Sequence, residues 1–383
     1  MSEEQVGLAD DDASDAQLPI GENGTGVEDE DASSSAEITE PFDPSLIRVE
    51  TKTLTIDLIL NRIEKMEIDL APEFQRKAGL WKATAKSRLI ESILVRIPLP
   101  AFYMDATDDN RWLVVDGLQR LSTLKSFVLD NDFELSGLEF LKLKGTTYSG
   151  LPRHLQRRIQ ETQVTVYLIE RGTPPEVKFN IFKRINTGGL PLSGQEIRHA
   201  LNQGPATRLL ADLAESVEFK KATSFGIRDD RMADRECVLR FLAFYLSDPA
   251  KYKSSDFDKF LNESMAKLNA MSKAERDRLS AEFLRAMVVA QQIFGSRAFR
   301  KPSSKRAPIN KPLFESWAVN LARRSDEVLK VLVEKKSEVA QDFEHAMREY
   351  QFEQAVSAAT GDPSKVSFRF ARVAKIIESI AVS

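Results

Sequence analysis

Apolar positions recur along the chain with two different periods, and the change from one to the other divides it. Across residues 84–97, Leu89, Ile90, Ile93, Leu94 and Ile97 fall three and four apart, so they line one helix face, and Pro98 and Pro100 stop that helix. Just upstream, LTIDLILNRIEKMEIDL (54–70) reads as a short helix leading into a strand, closed by Pro72. AFYMDA (101–106) and RWLVVD (111–116) are runs of β-formers separated by Asp-Asp-Asn, which predicts a hairpin or two adjacent strands, and TQVTVYLIE (162–170) predicts another strand. From Pro175 onward the period is helical almost throughout. Val238, Leu242 and Tyr245, then Leu279, Phe283, Met287, Ala290 and Phe294, share faces in the manner of helices covering a core. Ser193 with Glu196, and Ser272 with Glu275, mark helix starts by capping boxes. The pattern is that of an α+β chain: a small mixed sheet with flanking helices, followed by a mainly helical C-terminal region.

A chain of 383 residues, 42% of them hydrophobic, can bury one large core or two modest ones. The single cysteine, Cys237, rules out an internal disulfide or a cysteine-rich zinc module, and its place on an apolar helix face marks it as a small buried hydrophobe. His154, His199 and His345 are widely spaced and lack metal-ligand spacing. No apolar stretch approaches the roughly 18 residues that span a bilayer, so the expectation is a cytoplasmic protein without a membrane partner.

Charge changes the picture further. Residues 1–47 contain fourteen Asp and Glu and no Lys or Arg, which leaves the rest of the chain with 54 basic against 44 acidic residues, a net of +10. The leader is too poor in apolar residues to offset its ordering entropy, so it is expected to be disordered, serving as a solubilising tail or as a nucleic-acid mimic that folds back over the basic body. One later stretch, GSRAFRKPSSKRAPINKP (295–312), carries Arg297, Arg300, Lys301, Lys305, Arg306 and Lys311 without an acid, and its prolines forbid a continuous helix. It is either a solvated loop or a contact for phosphate backbones, as of DNA.

The candidate chemistry centres on VVDGLQRLSTL (114–124). With a strand over 111–115 and a helix over 118–129, Asp116 and Gly117 fall at the helix start. Asp116 can cap it with Gln119 three residues on, while Gly117 allows close backbone approach. Free N–H groups there, together with the Arg120 guanidinium, would make an anion site suited to phosphate, and Asp116 could then hold a magnesium ion or a water. The alternative is a structural cap with Arg120 in a surface ion pair; spacing leaves the two open. PEFQRKAGLW (72–81) offers Gln75 and Arg76 ahead of an amphipathic helix, where an ion pair with Glu91 is the plain explanation. FNIFKRINTGGLPLSGQEIRHAL (179–201) places Arg184, Asn186 and Thr187 at a helix end broken by two glycines, which a C-cap alone would explain.

In this order and spacing, these stretches resemble the family built around an Asp-Gly-Gln-Gln-Arg motif, domain of unknown function 262, typified by the N-terminal domain of GmrSD-type modification-dependent restriction enzymes. The resemblance covers about residues 50–205 and divides the chain into a leader (1–47), the motif domain (48–205) and a helical C-terminal region (206–383). It implies a ParB/sulfiredoxin-like sheet, nucleotide binding and hydrolysis. Asp116 and Arg120 would be catalytic and Gly117 and Gln119 nucleotide-binding, with Gln75, Arg76, Arg184, Asn186 and Thr187 nearby. Leu118 replaces the first glutamine of the motif. Beyond residue 205 the sole histidine is His345, so no HNH nuclease is expected in this chain, and no GxxxxGK[ST] loop is present. The reading is a magnesium-dependent nucleoside triphosphatase of a DNA restriction or defence system, acting with DNA and a separate nuclease subunit. In it Arg120 and the helix-start N–H groups hold phosphate, Asp116 binds magnesium or orients water, and Arg184 or Arg76 balances charge. The alternatives are a non-catalytic nucleotide or DNA sensor and, more remotely, a nuclease acting through the ParB-like fold.

Overall fold

The computed structural model of the chain describes residues 25–28, 47–70, 81–185, 192–228, 231–254, 256–303 and 307–382. Its first half is a five-stranded mixed sheet with helices on both faces. The strands are β1 (Val49–Thr55), β2 (Ile68–Asp69), β3 (Phe102–Asp108), β4 (Arg111–Asp116) and β5 (Gln163–Glu170), in the order β1-β5-β3-β4-β2. β3 and β4 form the predicted antiparallel hairpin, β5 runs parallel to β3, and β2 runs parallel to β4. Strand β1 was not legible in the sequence: VETKTLT has no apolar alternation, and it forms because a full seven-residue register pairs it with β5 at the sheet edge. At Thr55 the chain passes directly into α1 (Ile56–Glu64), with the Thr55 side chain capping by accepting from the Leu58 N–H.

Strand alternation sorts the side chains into two layers. Phe102, Met104, Val164, Val166 and Leu168 are buried on one face in a core with Ile59 and Ile63 of α1, Ile90 and Ile93 of α2 (Ala83–Leu94), Leu121 of α3 (Leu118–Leu124) and Ile159 of α4 (Arg153–Glu161). Val115 and Ile169 face the other way, onto Phe179 and Phe182 of α5 (Pro175–Ile185) and Ile197 of α6 (Gly194–Leu201). The helix expected over 84–97 ends at Leu94, where Arg96 adopts a positive φ of 64°. The helix expected over 118–129 is α3 widened by a π turn at Lys125–Leu129.

From Ala206 to Ile380 the chain is a helical assembly around one large apolar core. Both predicted capping boxes are present. Helix Lys311–Ala322 is buried from Pro312 to Ala322, and its Glu315, fully buried, meets the buried guanidiniums of Arg369 and Arg240. Cys237 is fully buried, and burial pushes its thiol up to about 12, as suits an inert hydrophobe. Among the described residues no helix is long and apolar enough to cross a membrane.

The acidic leader is corrected at one point. Residues 25–28 are ordered against the C-terminal region, with Val27 buried in its core. The expectation of a disordered leader missed that Thr-Gly-Val-Glu supplies an apolar anchor and a backbone able to pair. The leader's other residues through 46 lie outside the described residues.

Candidate functional site

Strand β4 delivers Asp116 at its end, and Gly117 turns the chain into α3 with φ 97°. A Cβ at Gly117 would lie 2.3 Å from the Phe102 ring, so both φ and packing require glycine. The expected side-chain cap does not form: Gly117 occupies the N-cap position, and Asp116 instead accepts from Arg120 at 2.9 Å. The first bond into the helix is Leu121 N–H to Gly117 O, at 2.9 Å. The backbone N–H groups of residues 118–120 therefore precede any i to i−4 partner.

Arg120 departs most from expectation. Its side chain is buried, its guanidinium lies 4.4 Å from the Phe102 ring centroid, and its terminal nitrogens donate to the carbonyls of Pro100 and Ala101 as well as to Asp116. Burial presses its pKa down and the Asp116 carboxylate pulls it back up, though an arginine stays charged throughout. Three of the five N–H donors of the guanidinium are engaged in this way. Arg120 is a brace that ties the segment entering β3 to the end of β4. Asp116 keeps 28% of its side chain exposed, and Gln119 is half-buried beside it.

The strand register adds two residues that sequence reasoning passed over. Tyr103 pairs with Asp116 across β3 and β4 and with Tyr167 across β3 and β5, and the two tyrosine rings stack at 4.9 Å. Burial, and after it the neighbouring Tyr167 and Asp116, raises the Tyr103 phenol, which therefore stays a neutral donor at physiological pH. The available signal was alternation: Tyr103 sits between Phe102 and Met104, and Tyr167 between Val166 and Leu168, each on the face opposite the larger core. Two positions along the same face, Asp105 forms a largely buried ion pair with Lys178 of α5 at 3.2 Å.

Arg184 is exposed in the last turn of α5, and among the described residues no hydrogen bond or ion pair joins it to the motif. Gln75, Arg76, Asn186 and Thr187 lie outside the described residues. Glu91, the suggested partner of Arg76, instead accepts the backbone N–H groups of Glu139, Phe140 and Leu141 at 2.8–2.9 Å.

The basic stretch is largely structural. Arg300 is buried and donates to the carbonyls of Ser296, Ala307 and Thr223. Lys311 pairs with Glu236 at 3.1 Å, and Lys301 with Glu28 and Ser357. Lys305 and Arg306 lie outside the described residues. Of the described cations, Arg297 alone stays well exposed, 3.5 Å from Glu344. Arg300 and Lys311 thus spend their charges on acceptors within the fold. Arg297, Arg300 and Lys301 also line a cavity of about 250 Å³ with Phe294, Phe343 and Glu344.

Residues 56–202 match the family described as the GmrSD restriction endonuclease N-terminal domain. This segment is similar to a GmrSD N-terminal domain. The match runs from the first residue of α1 to the residue after α6, so it takes in both helix layers and the Asp116–Arg120 turn and leaves β1 outside. The GmrSD N-terminal domain is named for a restriction enzyme, which associates the chain with DNA restriction or defence. No curated protein matches the chain.

Proposed function

We propose that the chain is a nucleotide-binding component of a DNA restriction or defence system, and that Asp116, positioned by Arg120, is the group that meets the nucleotide. The observation that carries this reading is the unequal burial of the pair: the cation is enclosed, while the carboxylate it holds remains partly open at a strand end. An arginine engaged with two backbone carbonyls fixes the direction of the carboxylate it holds. Magnesium binds hard oxygens and takes one or two carboxylates plus substrate phosphates, which suits this donor. Asp116 would hold it, and the ion would neutralise phosphate charge. The N–H groups of Leu118 and Gln119 would donate to phosphate oxygens, and the neutral Tyr103 phenol offers a further donor. Hydrolysis of the triphosphate is the activity proposed for this arrangement.

The test is phosphate release by the full chain with each of four nucleoside triphosphates and magnesium. Asp116→Asn should abolish release while leaving the circular dichroism spectrum unchanged. Absence of both turnover and any melting-temperature rise with every nucleotide would defeat the proposal. A second reading, a non-catalytic nucleotide sensor, draws support from the enclosure of Arg120, which leaves the motif without a cation to stabilise a transition state. It predicts a nucleotide-dependent rise in melting temperature without turnover.

A further inference from the structure

We propose that the C-terminal region contains a recognition site for a short extended peptide, occupied in this chain by its own Thr25-Gly26-Val27-Glu28. The backbone contacts are those of strand addition to an exposed edge. Thr25 C=O accepts from Arg228 N–H at 2.8 Å, Gly26 C=O accepts from Ile309 N–H at 3.0 Å, and Glu28 N–H donates to Ile309 C=O at 2.8 Å. Val27 pairs with Ile309 in parallel register, while Ile309 pairs on its other side with Arg300.

Three side-chain positions select what can enter. Gly26 has φ 78°, and a Cβ there would lie 1.7 Å from the Gly226 carbonyl oxygen, so any other residue is refused. Val27 is 2% exposed and joins the main helical core. Glu28 is held at both carboxylate oxygens, by Lys301 Nζ at 2.5 Å and Asn310 Nδ2 at 2.9 Å, and Lys301 is oriented in turn by Ser357 Oγ at 2.7 Å. The ligand class is therefore a glycine, a buried aliphatic residue and a carboxylate, in that order, in an extended segment. Residues 29–46 join this peptide to the motif domain. They can span at most about 60 Å when extended, enough for the peptide to leave and rebind without dissociating from the protein. A partner carrying the same three-residue pattern would compete for the site.

Amide hydrogen exchange on the full chain tests this. Arg228 and Ile309 amides should be protected, and Gly26→Val or Val27→Asp should speed their exchange at least tenfold while amides of helix Ala233–Leu246 stay slow. A synthetic peptide of residues 20–33 added to either variant should restore protection, and the same peptide carrying Gly26→Val should not. Unchanged exchange in both variants overturns the proposal, as does failure of the peptide to restore it. Should a variant expose the helix amides as well, the readout passes to Glu28→Lys, which sets like charge against Lys301 and should raise exchange at Ile309; no rise there would equally overturn it. Protection lost on dilution of the unaltered chain would assign the peptide to a second copy and refute occupancy by the chain's own segment.

Discussion

At Asp116 and Arg120 two oppositely charged side chains have different jobs, and mutation should separate them. Arg120→Ala leaves a partly exposed carboxylate and two part-buried carbonyls without this donor, a loss of about 2 kcal/mol. Asp116→Asn keeps an oxygen that can accept from Arg120 and should cost about 1 kcal/mol. Urea denaturation should therefore rank Arg120→Ala well below Asp116→Asn, and equal losses would contradict the brace. The turn itself was legible, since an acid and a glycine after an apolar run signal a strand end. The direction of Arg120 was not, because its acceptors are backbone carbonyls twenty positions away that the fold brings near. Glu91 shows the same blindness: the sequence suggests a cationic partner, and the fold supplies three amides. Burial alone would raise its pKa, but those N–H donors outweigh it and hold the carboxyl below its ordinary value. A folded pKa below the unfolded one stabilises above the unfolded value, ~4.3, and is lost as pH falls through the folded value. Glu91→Gln should consequently flatten the fall in melting temperature measured below about pH 4.5.

Elements differ in how far their charges can be read from sequence, and the stretch 295–312 makes the contrast measurable. As a run of cations it resembles a phosphate contact, yet a 3₁₀ turn at Gly295–Arg297 and the Arg300–Ile309 pairing fold it onto the helices. Arg300→Ala should then destabilise by about 2–3 kcal/mol by orphaning buried carbonyls, whereas Arg297→Ala should fall within about 0.5 kcal/mol of the parent in thermal or urea unfolding. Helix Lys311–Ala322 carries the same logic into the core. Glu315 bridges Arg240 and Arg369 with no solvent access, so Glu315→Ala takes the carboxylate from buried Arg369, while Arg240 keeps Glu236, and should cost about 3–5 kcal/mol by the same measurement. Helix periodicity located such helices well, since an apolar face is a local pattern. Pairing of Glu315 with two helices some 75 and 54 positions away is a tertiary fact without a local signature, as is the edge strand β1, whose register with β5 is set across more than a hundred residues.

Across the whole molecule, the net charge of −4 divides into a leader of −14 and a body of +10. Docking of Thr25–Glu28 fixes the leader to the body at Lys301, and Asp29, Glu30 and Asp31 follow Glu28 in the sequence. A leader of −14 tethered to a body of +10 should lower the positive potential that the body presents to a polyanion. Releasing the leader with Gly26→Val should strengthen binding of duplex DNA at about 50 mM salt, measured by fluorescence anisotropy. The advantage should shrink towards nothing near 0.3 M, where screening removes the leader's influence. A variant that binds no better than the parent at low salt would show that the anchored acids do not guard the basic surface, and would leave the peptide site with a purely protein-recognising role.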